Sequence, residues 1–195
     1  MSHTGHANRG KGLENLVLQA CQVYAKRGWG KIQRIETPVF QGRRGQGDGD
    51  KWTRGRSTVD FVGVYQGRGV AFDAKQTKIP RFELARIQPH QRAYLADFAA
   101  GGGCAFVLIE FVGVREFYAA TIAWMDETAS AMGRKSIPLG TFRSVAKLGI
   151  GVMAIPEGLC GIGCHFGLAV EPHLATGQLD APRRRRPKFV NRGNA

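Results

Sequence analysis

Cysteine is scarce in this chain. Cys21, Cys104, Cys160 and Cys164 are scattered through 195 residues, too few and too irregularly placed for a disulfide framework. A reducing, cytoplasmic setting is the expectation. No run approaches the ~20 apolar residues that a spanning helix needs, so no membrane partner is expected. Residues 1–11 lack an apolar stretch ahead of a small-residue cleavage site, which argues against secretion. Acid is the other shortage, with 15 Asp and Glu against 28 Lys and Arg, a net charge of +13 and a pI near 10.2. That excess favours a polyanionic partner, nucleic acid first, but charge alone does not separate an enzyme from a structural RNA-binding protein. A 43% apolar content against 22% charged residues excludes a disordered chain. The length suits one substantial core and is short for two. We expect one domain over residues 1–172 and a basic, flexible tail over 173–195, where Arg183 opens the run RRRRPKFVNRGNA.

Leu13, Leu16, Val17, Ala20, Cys21 and Tyr24 recur at helical spacing up to Arg27-Gly28, which predicts a first helix with a glycine cap. Residues 32–40 alternate and predict a strand. The segment GRRGQGDGDKWTRGR, residues 42–56, has neither period and must be a loop or a projecting arm between the first two strands. Residues 58–65 and 69–75 predict two further strands around a turn at Gln66-Gly67-Arg68. Residues 89–99 form a weakly amphipathic helix ended by three glycines. CAFVLIEF, residues 104–111, is apolar enough for a central strand covered on both faces, and residues 117–122 predict one more. Together these elements make an α/β protein, a mixed sheet flanked by helices.

The hairpin within TVDFVGVYQGRGVAFDAKQT, residues 58–77, carries charge inside strand-like runs. A Gln66-Gly67 turn puts Asp60 opposite Asp73; a Gly67-Arg68 turn puts Asp60 opposite Lys75. Either register keeps Thr58, Asp60, Asp73 and Lys75 on one face and Phe61, Phe72 and Ala74 on the other. Like charges directly opposed repel, so two carboxylates so placed share a proton or hold a cation. Oxygen ligands suit Mg²⁺ or Mn²⁺. The alternative is a solvated ion-pair cluster on an open sheet face. The basic composition tilts the balance toward metal-assisted phosphodiester hydrolysis.

An Asp followed thirteen positions later by Asp-Ala-Lys resembles the PD-(D/E)xK nucleases. Asn8-Arg9-Gly10 with Glu14, Ser57-Thr58-Val59-Asp60, Gly63-Val64-Tyr65 with Gly67-Arg68, Asp73-Ala74-Lys75 with Thr77, Pro89-His90-Gln91 and Gly133-Arg134-Lys135-Ser136-Ile137 together resemble RecU-type Holliday junction resolvases. The resemblance implies a restriction-endonuclease-like core and a homodimer that cuts four-way junction DNA symmetrically with Mg²⁺. It implies that Thr58, Asp60, Asp73 and Gln91 surround the metal, that Lys75 stabilises the transition state, and that Glu14 assists. It also implies that residues 42–56 are a stalk entering the junction. Asp73 stands where that family usually has glutamate, one methylene shorter. Within the stalk, Arg43, Arg44, Lys51, Trp52, Arg54 and Arg56, with Arg9, are the expected DNA contacts, by phosphate pairing and base stacking. Contact with a recombinase stays open. Two competing readings are a PD-(D/E)xK nuclease of other DNA specificity and a non-catalytic basic DNA-binding modulator of recombination.

Cys160, Cys164, His165 and His173 do not have the spacing of a known zinc finger, and buried thiols with a surface histidine are the expectation there. Glu110 and Glu116 are expected at the surface. The basic tail either adds DNA affinity or solubilises the chain.

Overall fold

The structure is a computed structural model that describes residues 11–36, 39–41, 52–54, 58–149, 151–156 and 164–169. Helix α1 (Lys11–Lys26) buries Leu13, Val17, Ala20, Cys21 and Tyr24 on one stripe. It ends where predicted. Gly28, at φ 68°, lets the Gly28 N–H donate to the Ala25 carbonyl and the Trp29 N–H to the Tyr24 carbonyl, the pair of bonds that closes a glycine-terminated helix.

A six-stranded sheet holds the centre of the fold. Along it run β1 (Gly30–Arg34), β4 (Phe61–Tyr65), β5 (Arg68–Thr77), β7 (Cys104–Phe111), β8 (Glu116–Ala120) and β10 (Val152–Ile155), in that spatial order. Only β5 and β7 are parallel, so the sheet is mixed as expected. Two small ribbons lie outside it. One pairs β2 (Val39–Gln41) with β3 (Trp52–Arg54), and the other pairs β6 (Arg81–Glu83) with β9 (Ser136–Pro138).

Every residue of β7 is buried, as its continuous apolar run requires. Alternate residues along the strands feed two cores. Phe61, Phe72, Phe106 and Leu108 face α1. Val59, Ala71, Val107 and Ile109 face the opposite side, where α2 (Pro89–Ala100), α3 (Ile122–Ala131) and α4 (Leu139–Ala146) contribute Leu95, Met125 and Phe142. The rings of Phe61, Phe72 and Phe106 stack across β4, β5 and β7 at 5.0 Å centroid spacing.

Several expectations are corrected. The strand expected over 32–40 divides into β1 and β2, and Trp52–Arg54, expected to be irregular, is a strand paired with β2. Ile122, expected to close a strand, opens α3, because the Thr121 side chain accepts a hydrogen bond from the Trp124 N–H and caps the helix. Glu110 is not at the surface. It is buried in β7, where the Gln76 amide donates to its carboxylate. His165 is also buried, at 3% exposure, with its Nδ1 3.1 Å from the Tyr24 hydroxyl and its ring stacked on Trp29. Its segment, residues 164–169, docks on α1: the Gly167 N–H donates to the Tyr24 hydroxyl and Phe166 packs on Tyr24 and Phe72. Cys160, His173 and the basic tail lie outside the described residues.

Candidate active site

The hairpin turn decides the geometry of the charged residues. Gln66 and Gly67 both have positive φ, 47° and 81°, the backbone of a two-residue turn whose twist matches its strands. Phe61 therefore pairs with Phe72, and Tyr65 with Arg68. This is the first of the two registers, and it brings Asp60 level with Asp73. The β4 ladder begins at Phe61, so Asp60 stands at a bend just before the strand. The Ala74 N–H donates to Asp60 Oδ2 at 2.9 Å, pinning that carboxylate to β5.

Asp73 is fully buried, on the face that carries α2. Gln91 Nε2 donates to Asp73 Oδ1 at 2.9 Å, and Lys75 Nζ stands 2.5 Å from Asp73 Oδ2. That close ion pair sets a cation directly against the buried acid. Burial is the largest influence on Asp73 and pushes its carboxyl up to about 7. The charge of Asp60 pushes the same way, Lys75 pulls back, and the protonated form gains a hydrogen bond to Asp60. The register and the Ala74 N–H thus stand Asp60 beside Asp73.

Gln91 owes its orientation to the start of α2. Pro89 opens the helix, and the Gln88 N–H donates to Gln91 Oε1 at 3.1 Å. The carbonyl end of the amide is occupied, and the nitrogen faces Asp73.

Thr58 is exposed two residues before Asp60, and among the described residues it makes no hydrogen bond to either carboxylate. Glu14 lies on α1, across the sheet from α2, and pairs with Arg34 at 3.0 Å. Because Arg34 pairs with Phe61 in the sheet, Glu14 is at the Asp60 end of β4 without joining the carboxylate pair. Trp52 and Arg54 lie on β3; Arg9, Arg43, Arg44, Lys51 and Arg56 fall outside the described residues.

The site suits a hard divalent cation. It has two adjacent carboxylates, one fully buried and the other held by a backbone N–H, and hard oxygen donors of that kind suit Mg²⁺ or Mn²⁺. Among the described residues no group of three or more His, Cys, Asp or Glu converges, so from these residues any ligand beyond the acid pair would be a neutral oxygen. Sequence reasoning did not reach the Ala74 N–H or the Gln88 contact. The first is backbone and leaves no signal; the second has a faint one, Gln-Pro-His-Gln with proline at the first helical position.

Residues 8–152 match the family described as Recombination protein U. The Holliday junction resolvase RecU of Geobacillus kaustophilus (strain HTA426) is 33% identical over 144 residues, 68% of this chain and 72% of that protein. The protein of the same name from Streptococcus pneumoniae (strain Hungary19A-6) is 30% identical over 145 residues, covering 70% and 73%. Among solved structures, Hjc, a Holliday junction resolvase from the archaeal hyperthermophile Archaeoglobus fulgidus, shares 16% identity at a TM-score of 0.38, covering 58% of this chain and 73% of that one.

Proposed function

The chain belongs to the Recombination protein U family, and from that premise we propose that it is an endodeoxyribonuclease that resolves Holliday junctions by metal-dependent phosphodiester hydrolysis. The observation that carries this reading is the buried Asp73 carboxyl held against Asp60 with the Lys75 ammonium in contact. A surface ion-pair cluster has no reason to bury an acid completely at a cost in ionisation.

Asp60 and Asp73 would hold a divalent ion, Mg²⁺ or Mn²⁺, beside Thr58. Such an ion neutralises phosphate charge and acidifies a bound water. The chain's own residues do the rest. Gln91 holds Asp73 by its Nε2–H, and the Ala74 N–H holds Asp60, so both carboxylates are set before substrate arrives. Lys75, partly exposed beside a buried acid, offers its ammonium to the negative charge that develops as the phosphodiester is attacked. The 3′ oxygen then leaves and a 5′ phosphate remains. Paired incisions across a junction need two such sites, which a homodimer with two-fold symmetry supplies. The segment 42–56, which follows β2 and carries β3, would be the stalk that reaches the crossover. Residues 1–172 would constitute the nuclease unit.

The test is cleavage of a four-way junction and a linear duplex of matched sequence. Lys75→Ala should slow junction cutting by roughly 10²- to 10³-fold, the usual loss for one transition-state donor, while junction binding persists. Wild-type rates in this variant would remove the catalytic assignment, and equal cutting of duplex and junction by the native protein would remove the resolvase reading.

A further inference from the structure

We infer that the β6–β9 ribbon, with the chain on either side of β6 and the turn that enters β9, forms a cationic rim that grips the phosphates of a duplex DNA arm beside the Asp60–Asp73 site. The inference rests on the nuclease reading above for its substrate, and on a separate set of residues for its evidence.

Lys78, Arg81, Arg86, Arg134 and Lys135 are all exposed. Elsewhere in the fold, three arginines of the described surface are neutralised: Arg34 by Glu14, Arg92 by Asp126 and Arg143 by Glu116. In the ribbon region only Arg81 has an acidic partner, Glu83 at a loose 3.9 Å. Among the described residues no carboxylate pairs with Lys78, Arg86, Arg134 or Lys135. Five cations against one acid, on a platform that needs none of them for its own packing, leave a net charge of about +4 to be answered from outside.

The ribbon is anchored to the body of the fold. Phe82 and Ile137 pair across the ribbon and are both fully buried. The Leu84 N–H donates to the Lys135 carbonyl and the Leu139 N–H to the Pro80 carbonyl, tying Arg134 and Lys135 to the chain leaving β5. Chain reach bounds the distances, at no more than ~3.6 Å per residue. The Cα of Lys78 lies within ~11 Å of that of Lys75, and Arg81 within ~22 Å. Arg86 is five residues before Gln91, whose side chain touches Asp73, and so lies within ~18 Å of it. Duplex DNA carries one charge per ~1.7 Å of axis. An arm laid along this surface therefore presents closely spaced phosphates to its cations. Contacts of this kind set position and are indifferent to sequence, which suits an enzyme that must take junction arms of any sequence.

The test measures equilibrium binding of a labelled linear duplex and of a four-way junction with arms of the same sequence, without divalent ion, over a series of KCl concentrations. The variant is Lys78→Ala/Arg86→Ala/Lys135→Ala, and its control is Lys26→Ala/Lys31→Ala/Lys147→Ala, three cations on the surface of other elements. The slope of log affinity against log salt should become shallower by about 0.9 for each phosphate no longer gripped, roughly 2.7 for the ribbon variant on both probes, and should hold for the control. An unchanged slope in the ribbon variant, or an equal change in both variants, overturns the inference. So does an effect confined to the junction probe, which would assign the ribbon to the crossover and not to an arm. If the triple variant melts early, Lys78→Ala and Arg86→Ala tested singly should each lower the slope by about 0.9, and no change in either overturns the inference equally. Because no cutting is involved, this outcome is independent of whether Lys75→Ala abolishes cleavage.

Discussion

Replacing Asp60 by asparagine should make the protein more stable at neutral and alkaline pH while removing its cleavage activity. In the folded chain the Asp73 carboxyl is raised from 3.8 to about 7. As pH climbs above ~4 the unfolded chain releases this proton and the folded chain keeps it until about 7. Stability therefore falls across that interval and is level above it. At 1.36 kcal/mol per pH unit the decline is on the order of 4 kcal/mol, borne by a fully buried group. Burial is the largest cause and asparagine leaves it in place. The Asp60 charge comes next, and two unit charges ~4 Å apart at an effective dielectric of ~20 repel by up to about 4 kcal/mol, against which Lys75 acts. Removing that charge should recover roughly 1–3 kcal/mol at pH 8 and nothing near pH 4. The substitution is nearly isosteric, and Oδ1 of the asparagine can keep the bond from the Ala74 N–H. The assay is urea unfolding from pH 4 to 8 with a chelator present, beside a carboxyl titration of Asp73 by NMR. Superimposable pH profiles for native protein and variant would refute the argument that the two acids are coupled. If the pair holds Mg²⁺ as proposed, adding the ion should stabilise the native protein and not the variant.

Gln91→Ala should raise the Mg²⁺ concentration needed for half-maximal cutting by roughly 10- to 100-fold, the range for a group that orients a metal ligand; an unchanged requirement would leave Gln91 as a helix-capping residue alone. Phe166→Ala should destabilise the fold by about 3–5 kcal/mol, because its ring lies 4.7 Å from Phe72 and 5.1 Å from Tyr24. A melting temperature equal to the native value would show that residues 164–169 are not part of the core.

The buried carboxylate also explains a tension within the sequence. A chain with 28 basic residues and 15 acidic ones sets two of those acids side by side, one at the entrance to its sheet and one fully buried within it. Such local conflict is what a functional site looks like when the surrounding fold is otherwise self-consistent. Glu116, by contrast, takes two bonds from Arg143 and one from the Tyr118 hydroxyl, and Arg143 holds its carboxyl below the usual range. That arrangement joins β8 to α4 and asks nothing of the chemistry.

Local pattern was enough to place Asp60, Asp73 and Lys75 on one side of a hairpin, to end α1 at Gly28 and to make residues 104–111 the central strand. Each of these depends on a period or a backbone preference carried by neighbouring residues. Only tertiary structure could select the Gln66-Gly67 register, bury Asp73 completely, turn the Gln91 nitrogen toward it, draw Glu14 to Arg34 and seat Phe166 and His165 on α1. Those outcomes join residues from 13 positions apart, Asp60 and Asp73, to 142 apart, Tyr24 and Phe166. Desolvation and hydrogen-bond partners are set by what the whole chain packs into that space, and no short window of sequence carries that information.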